Sequence, residues 1–147
     1  MAIGYLIDDG SIEPVRGKRV KTGDLGVKDA EGFVRVTGRT KDLIIRGGVN
    51  IAPQEIDEIL LRHPGILDAA ALGVPDKIYG EEGVCYVVAK DRGLTAASVE
   101  QYCGKFLPPA KTPKQVIIVA ELPKSERGKV LRDKLRQDWI ERMKVSA

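Results

Sequence analysis

Histidine and cysteine are nearly absent: His63, Cys85 and Cys103 are the whole complement in 147 residues. No zinc or iron–sulfur spacing can be built from that set, and a disulfide scaffold is equally unsupported, so no metal site is expected. Aromatic residues are 5%, with Phe and Trp together only three. The stacking surface or recognition helix of a nucleic-acid binder is lacking, and nucleic acid is not the expected partner. No apolar run approaches the roughly 18 residues of a membrane span, and residues 1–10 carry no basic segment followed by an apolar one. A soluble, cytoplasmic chain without a membrane partner is the expectation. Internal repeats and low-complexity segments are missing too. What is present is ordinary: 43% hydrophobic and 31% charged residues, the usage of a globular chain long enough to bury one core.

Charge is small in total, +3, but unevenly placed. From Lys105 to Ala147 there are 11 basic and 5 acidic residues, and the rest of the chain is mildly acidic. A cationic tail suits an anionic partner such as a nucleotide or phosphorylated cofactor, and it equally suits a solvated helix face.

Residues 1–21 read as a lead-in, with a turn at Asp8 to Ser11. Leu25 to Val27 and Phe33 to Thr37 predict a β-hairpin around a Gly32-containing loop. Leu43 to Ile45 and Val49 to Ile51 predict a second, tight pair around Gly47-Gly48. Pro53 opens a helix whose apolar face is Ile56, Ile59, Leu60 and His63. Ile66 to Val74, Val84 to Ala89 and Gln115 to Ala120 read as buried strands. A helix between the last two carries Val99, Tyr102, Cys103 and Phe106 on one face, capped by Ser98 with Gln101 or by Thr95. The last helix is expected from about Lys129 to Met143. This order predicts an α+β fold: a small three-stranded sheet with flanking helices, preceded by a β-hairpin lead-in.

Three stretches interrupt the apolar pattern with groups that can do chemistry. In Thr22-Gly23-Asp24, a carboxylate after a glycine can accept hydrogen bonds from a ribose diol, or can simply close its own turn. In Gly38 to Ile56, Arg39, Lys41 and Asp42 precede Arg46, whose forked donors suit ribose or phosphate oxygens. There Gly47-Gly48 lets backbone approach a narrow ligand, although a charged connector before a hairpin has the same composition. In Leu122 to Leu135, Lys129 follows Gly128 on a Pro- and Ser-containing loop. This is no phosphate-binding P-loop, because the leading glycine is missing and Val130 stands where Ser or Thr should meet magnesium.

Taken together, the three stretches resemble the C-terminal domain of the AMP-forming acyl-CoA synthetase (acyl-adenylate-forming) superfamily over nearly the whole chain. His63 to Asp76 and Tyr79-Gly80-Glu81 add to that likeness. Arg127 to Arg132 (RGKVLR) looks like the acyl-CoA synthetase form rather than the peptide-synthetase form, and Ile44 to Ile51 points the same way. Val145-Ser146-Ala147 is not a peroxisomal tripeptide, which argues against a luciferase-like location.

The resemblance implies roles residue by residue. Asp24 matches the aspartate that binds the adenosine ribose, and Arg39 the arginine that supports it. Lys41 falls at the hinge. Arg46, Gly47 and Gly48 match the face lining the CoA channel. Lys129 matches the lysine that contacts the acyl carboxylate and α-phosphate during adenylation, and its surroundings fit the pattern recognised by protein acetyltransferases. Residues 1–38 would then be a lead-in and hairpin from the end of an N-terminal adenylating domain, and residues 39–147 the lid. ATP, AMP, CoA and Mg2+ would serve the complete enzyme, none held tightly by this chain. The large N-terminal domain, with its phosphate loop and acyl pocket, is not in this sequence. The chain alone is therefore expected to be inactive, whether it is a fragment of a ligase or a free module completing a partner's site in trans.

Overall fold

Two long strands rich in Ala and Val organise the molecule. The computed structural model describes residues 4–6, 11–14 and 21–145. In order, it contains β1 Gly4–Leu6, β2 Ile12–Pro14, β3 Asp24–Lys28, β4 Val34–Arg39, a 3-10 turn Thr40–Asp42, β5 Ile44–Arg46, β6 Val49–Ile51 and helix α1 Pro53–Leu61. There follow β7 Ile66–Asp76, β8 Gly80–Ala89, α2 Ala96–Phe106, β9 Gln115–Val119 and α3 Arg132–Val145.

The continuous apolar runs arise because both faces of the sheet are covered. Ala69, Ala71, Cys85, Val87 and Val116 face Ile56 and Leu60 of α1 and Val99 and Cys103 of α2. The alternate residues Ala70, Leu72, Val84, Tyr86 and Ile117 face Leu135 of α3. β7 and β8 are antiparallel from Ile66↔Ala89 to Asp76↔Gly80. β9 returns parallel to β8, from Val84↔Gln115 to Val88↔Val119, after the α2 crossover, the connection a parallel neighbour needs.

The α+β class expected from sequence is the class observed. The expected three strands, however, belong to a larger, five-stranded sheet. The β5–β6 hairpin joins it through Arg46↔Gly80 and through the Gly47 N–H, which donates to the Tyr79 carbonyl at 2.9 Å. No local pattern encodes that long-range docking. The lead-in also holds a short antiparallel pair, β1–β2, too brief to show a period. Its expected turn at Asp8 to Ser11 lies, apart from Ser11, outside the described residues.

Two helix ends differ from expectation. α1 stops at Leu61, and His63 lies in the following turn, where its Nδ1 accepts the Gly65 N–H at 3.0 Å. α3 begins at Arg132, three residues beyond Lys129. The cap of α2 is Thr95, whose Oγ1 accepts the Ser98 N–H while Ser98 Oγ accepts the Thr95 N–H, both at 3.2 Å.

Candidate functional site

Lys129 sits on a strap of residues 123–131 that crosses from β9 to α3. A turn closes the strap: the Gly128 N–H donates to the Ser125 carbonyl and the Ser125 N–H to the Lys129 carbonyl, each at 2.8 Å. Gly128 adopts φ +75, a value that favours glycine. Lys124 and Val130 then form an antiparallel bridge, and the Leu131 N–H donates to the Pro123 carbonyl at 2.8 Å. This extended bridge is why the helix cannot open at Lys129. The Lys129 side chain is exposed, and among the described residues neither an ion pair nor a hydrogen bond holds its ammonium.

Asp24 and Arg39 are cross-strand partners in β3–β4. Arg39 Nε lies 3.2 Å from Asp24 Oδ1, and both side chains remain partly open to solvent. The Thr40 N–H donates to the Gly23 carbonyl at 2.8 Å, so the hairpin and the following 3-10 turn are stitched together. Lys41 stands exposed on that turn. The hairpin meets the body where buried Gly38 approaches Ala52 and Gln54; a Cβ on Gly38 would lie 2.7 Å from Gln54 Oε1. An exposed Arg35–Glu58 pair, at 3.6 Å, adds to this contact.

These parts enclose one cleft of about 270 Å³, lined by Asp24, Arg39, Asp42, Gln54, Lys129 and Arg132 among others. Two cationic groups, Arg39 and Lys129, and two carboxylates, Asp24 and Asp42, singled out from three separate stretches, thus line one cleft. Gln54 Oε1 is buried without a hydrogen-bond partner among the described residues. A larger groove of about 680 Å³, between β9 and the end of α3, includes none of the residues singled out from sequence.

Arg46, Gly47 and Gly48 do not line this cleft. They form the tip of β5–β6, where Gly47 (φ +54) and Gly48 (φ +84) make the turn. Arg46 Nε is 2.7 Å from Glu82 Oε2 and its guanidinium stacks 4.4 Å above the Tyr79 ring. The Glu82 hydrogen bond holds the Arg46 pKa above its ordinary value. Beside it, the Ile45 N–H donates to Glu81 Oε2 at 2.7 Å. Asp76 accepts the Tyr79 and Ile78 N–H groups and pairs with Lys114 at 2.9 Å. Those bonds, the Tyr79 amide first, lower the Asp76 pKa to about 2.

Sequence reasoning missed Gln54, Arg132 and Glu82. Glu82 had a visible signal, a carboxylate leading an unbroken apolar strand; Gln54 and Arg132 had none, since both act through contacts distant in sequence. Among the described residues no group of three or more His, Cys, Asp or Glu side chains could hold a metal ion, and no helix is long and apolar enough to cross a membrane.

The family model for the AMP-binding enzyme C-terminal domain matches residues 55–129, ending on Lys129 and leaving Asp24, Arg39, Lys41 and Arg46 to Gly48 outside the match. The chain is 53% identical over 117 residues to the sulfoacetate–CoA ligase of Cupriavidus necator, covering 79% of this chain and 23% of that protein. It is 42% identical over 130 residues to a long-chain-fatty-acid–CoA ligase of Escherichia coli, covering 88% and 23%. The structure of o-succinylbenzoate CoA synthetase from Bacillus subtilis, in complex with an acyl-adenylate intermediate, superimposes with a TM-score of 0.74 at 35% identity, over 89% of this chain and 25% of that one. The chain thus spans about a quarter of the length of the curated relatives it matches. With its two-faced sheet, its strap and the matched segment from Glu55 to Lys129, the chain belongs to the AMP-binding enzyme C-terminal domain family, the C-terminal domain of the AMP-forming acyl-CoA synthetase superfamily.

Proposed function

We propose that this chain is the lid of an AMP-forming acid–thiol ligase, serving two half-reactions with two different surfaces. In the first, a carboxylate attacks the α-phosphate of ATP and pyrophosphate leaves. Asp24 accepts hydrogen bonds from the ribose hydroxyls through the oxygen not facing Arg39, and Arg39 fixes the carboxylate. Negative charge accumulates around the α-phosphate, and the Lys129 ammonium, delivered by its strap, lowers that barrier electrostatically. In the second, the CoA thiol attacks the acyl carbon and AMP leaves. The domain turns at Lys41, Lys129 withdraws, and the Gly47-Gly48 tip faces the thiol's path.

The observation that carries this reading is the shared cleft of Asp24, Arg39 and Lys129. Gln54 lines the same cleft and leaves its Oε1 buried without a partner, a cost that a donor reaching it would relieve. Separation of Arg46, Gly47 and Gly48 from that cleft supports a second working face. Magnesium would travel with the nucleotide phosphates. The acyl pocket and the remaining half of the nucleotide site belong to the adenylating domain that makes up the rest of the relatives' length. An acetyltransferase acting on exposed Lys129 would remove the charge that this mechanism uses.

The test grafts this chain in place of the matching quarter of the Cupriavidus necator ligase. Acyl-CoA formation is expected from the graft and lost in its Lys129→Ala variant. An active graft indifferent to Lys129→Ala would overturn the reading. Adding the chain as a separate polypeptide to the truncated ligase tests action in trans.

A further inference from the structure

Several polar bonds converge where the strap joins the sheet. Asp57 on α1 accepts the Ala71 N–H through Oδ1 at 2.6 Å and pairs with Arg132 through Oδ2. Arg132, the first residue of α3, donates its Nε–H to the Ala71 carbonyl at 2.9 Å. Each side chain of the pair is only 15% exposed. One turn on, Arg136 donates its Nε–H to the Gly73 carbonyl at 2.9 Å. β7 is a terminal strand of the sheet, so these side chains occupy an edge that would otherwise be open to pairing.

The same Arg132 lines the cleft beside Lys129, three residues upstream. On the other leg of the strap, Lys124 pairs with Asp68 of β7 at 2.5 Å. The strap therefore has two feet, Lys124 on Asp68 and Arg132 on Asp57 and Ala71, with Lys129 carried between them.

We propose that Asp57 is a positioning residue for Lys129, acting through Arg132: the pair fixes the downstream foot of the strap and so keeps the ammonium beside Asp24 and Arg39. What that ammonium does rests on the reading above; where it is held does not.

Energetics favour this role over simple stabilisation. Burial raises the Asp57 pKa to about 6, against the opposing pull of Arg132 and the Ala71 amide and with added repulsion from Asp68. Those are the groups that face it from α3 and β7, Asp68 itself being paired with Lys124. A buried pair that is costly to ionise adds little net stability, which leaves geometry as its contribution.

The test uses the 147-residue chain without nucleotide. Amide exchange is followed at Ser125 and Leu131, whose N–H groups close the strap, with Val87 in the centre of β8 as reference. The Lys129 side-chain resonance is recorded in parallel, between pH 5 and 8. Asp57→Asn and Arg132→Gln are each expected to lower strap protection about tenfold, with the double variant no worse and no matching loss at Val87. Asp57→Glu restores it. In the wild type, the same loss appears as pH falls through about 6, after correction for intrinsic exchange, and is missing from Asp57→Asn. Equal strap protection in Asp57→Asn, additive losses, or a matching loss at Val87 each overturn the proposal. A catalytically idle Lys129 would leave these rates untouched, so the two readings fail separately.

Discussion

Arg46 and Glu82 form a side-chain ion pair that ties the Gly47-Gly48 hairpin to the long strands: 2.7 Å separates Nε from Oε2, and Glu82 is 4% exposed. The hairpin has three-residue strands and only one ladder pair to β8, too little to hold it alone. Arg46 is thereby committed to Glu82 and Tyr79, and it braces the turn.

Glu82→Ala leaves a half-buried guanidinium unpaired, and breaking such a pair costs about 3 kcal/mol. Urea denaturation of the chain is expected to show that loss. Glu82→Gln, which keeps an acceptor for Arg46, should lose less than half as much.

The two glycines of the turn separate strain from crowding. Gly48 sits at φ +84 with open space where a Cβ would go, so Gly48→Ala pays only for backbone strain, about 1 kcal/mol. Gly47→Ala adds a contact at 3.3 Å with the Tyr79 ring and is expected to cost more. In the grafted ligase, both should slow thioester formation while leaving pyrophosphate release intact. Thermal denaturation and the two half-reaction assays read these outcomes.

Asp57 gives the stability profile a definite sign. Its folded pKa of about 6 lies above the model-peptide value of 3.8, so the folded chain binds the extra proton. The stabilisation it contributes is complete below pH about 4 and lost as pH rises through about 6, by roughly 3 kcal/mol at most. Asp57→Asn should flatten the profile in that window. Unfolding free energies at pH 4.5 and 7.5 decide it: a profile equally steep in Asp57→Asn assigns the slope to other groups.

The fold's outline was legible because its strands carry it locally. Ile66 to Val74 and Val84 to Ala89 are too apolar for any place but a covered sheet, and Gly47-Gly48 admits little except a tight turn. The start of α1 was readable from Pro53 at its first turn, and for α2 the structure takes Thr95, one of the two caps open in the sequence, rather than Ser98 with Gln101. The start of α3 was not: Gly128 closes a turn and Val130 bridges back to Lys124, so the amphipathic pattern is cut short by pairing with a residue outside it. Asp24, Arg39 and Lys129 were found as chemistry, yet their meeting in one cleft depends on Gly38 packing against Gln54, which no spacing reveals. Asp57 and Arg132 were invisible for the same reason, being 75 residues apart.

On the proposed function, the chain by itself offers only one wall of a nucleotide site. Purified and given ATP, Mg2+ and any fatty or aromatic acid, it is expected to release no pyrophosphate above the uncatalysed background. Sustained release would mean that a complete adenylating centre lies within these 147 residues.

The most direct measurement separates the two half-reactions in the grafted ligase carrying Lys129→Ala. Acid-dependent exchange of pyrophosphate into ATP should fall by about a hundredfold or more. Conversion of supplied acyl-adenylate and CoA to acyl-CoA should change by less than about threefold. Equal losses in both steps, or a loss confined to the second, would contradict a lid that uses Lys129 for adenylation and turns another face to the thiol.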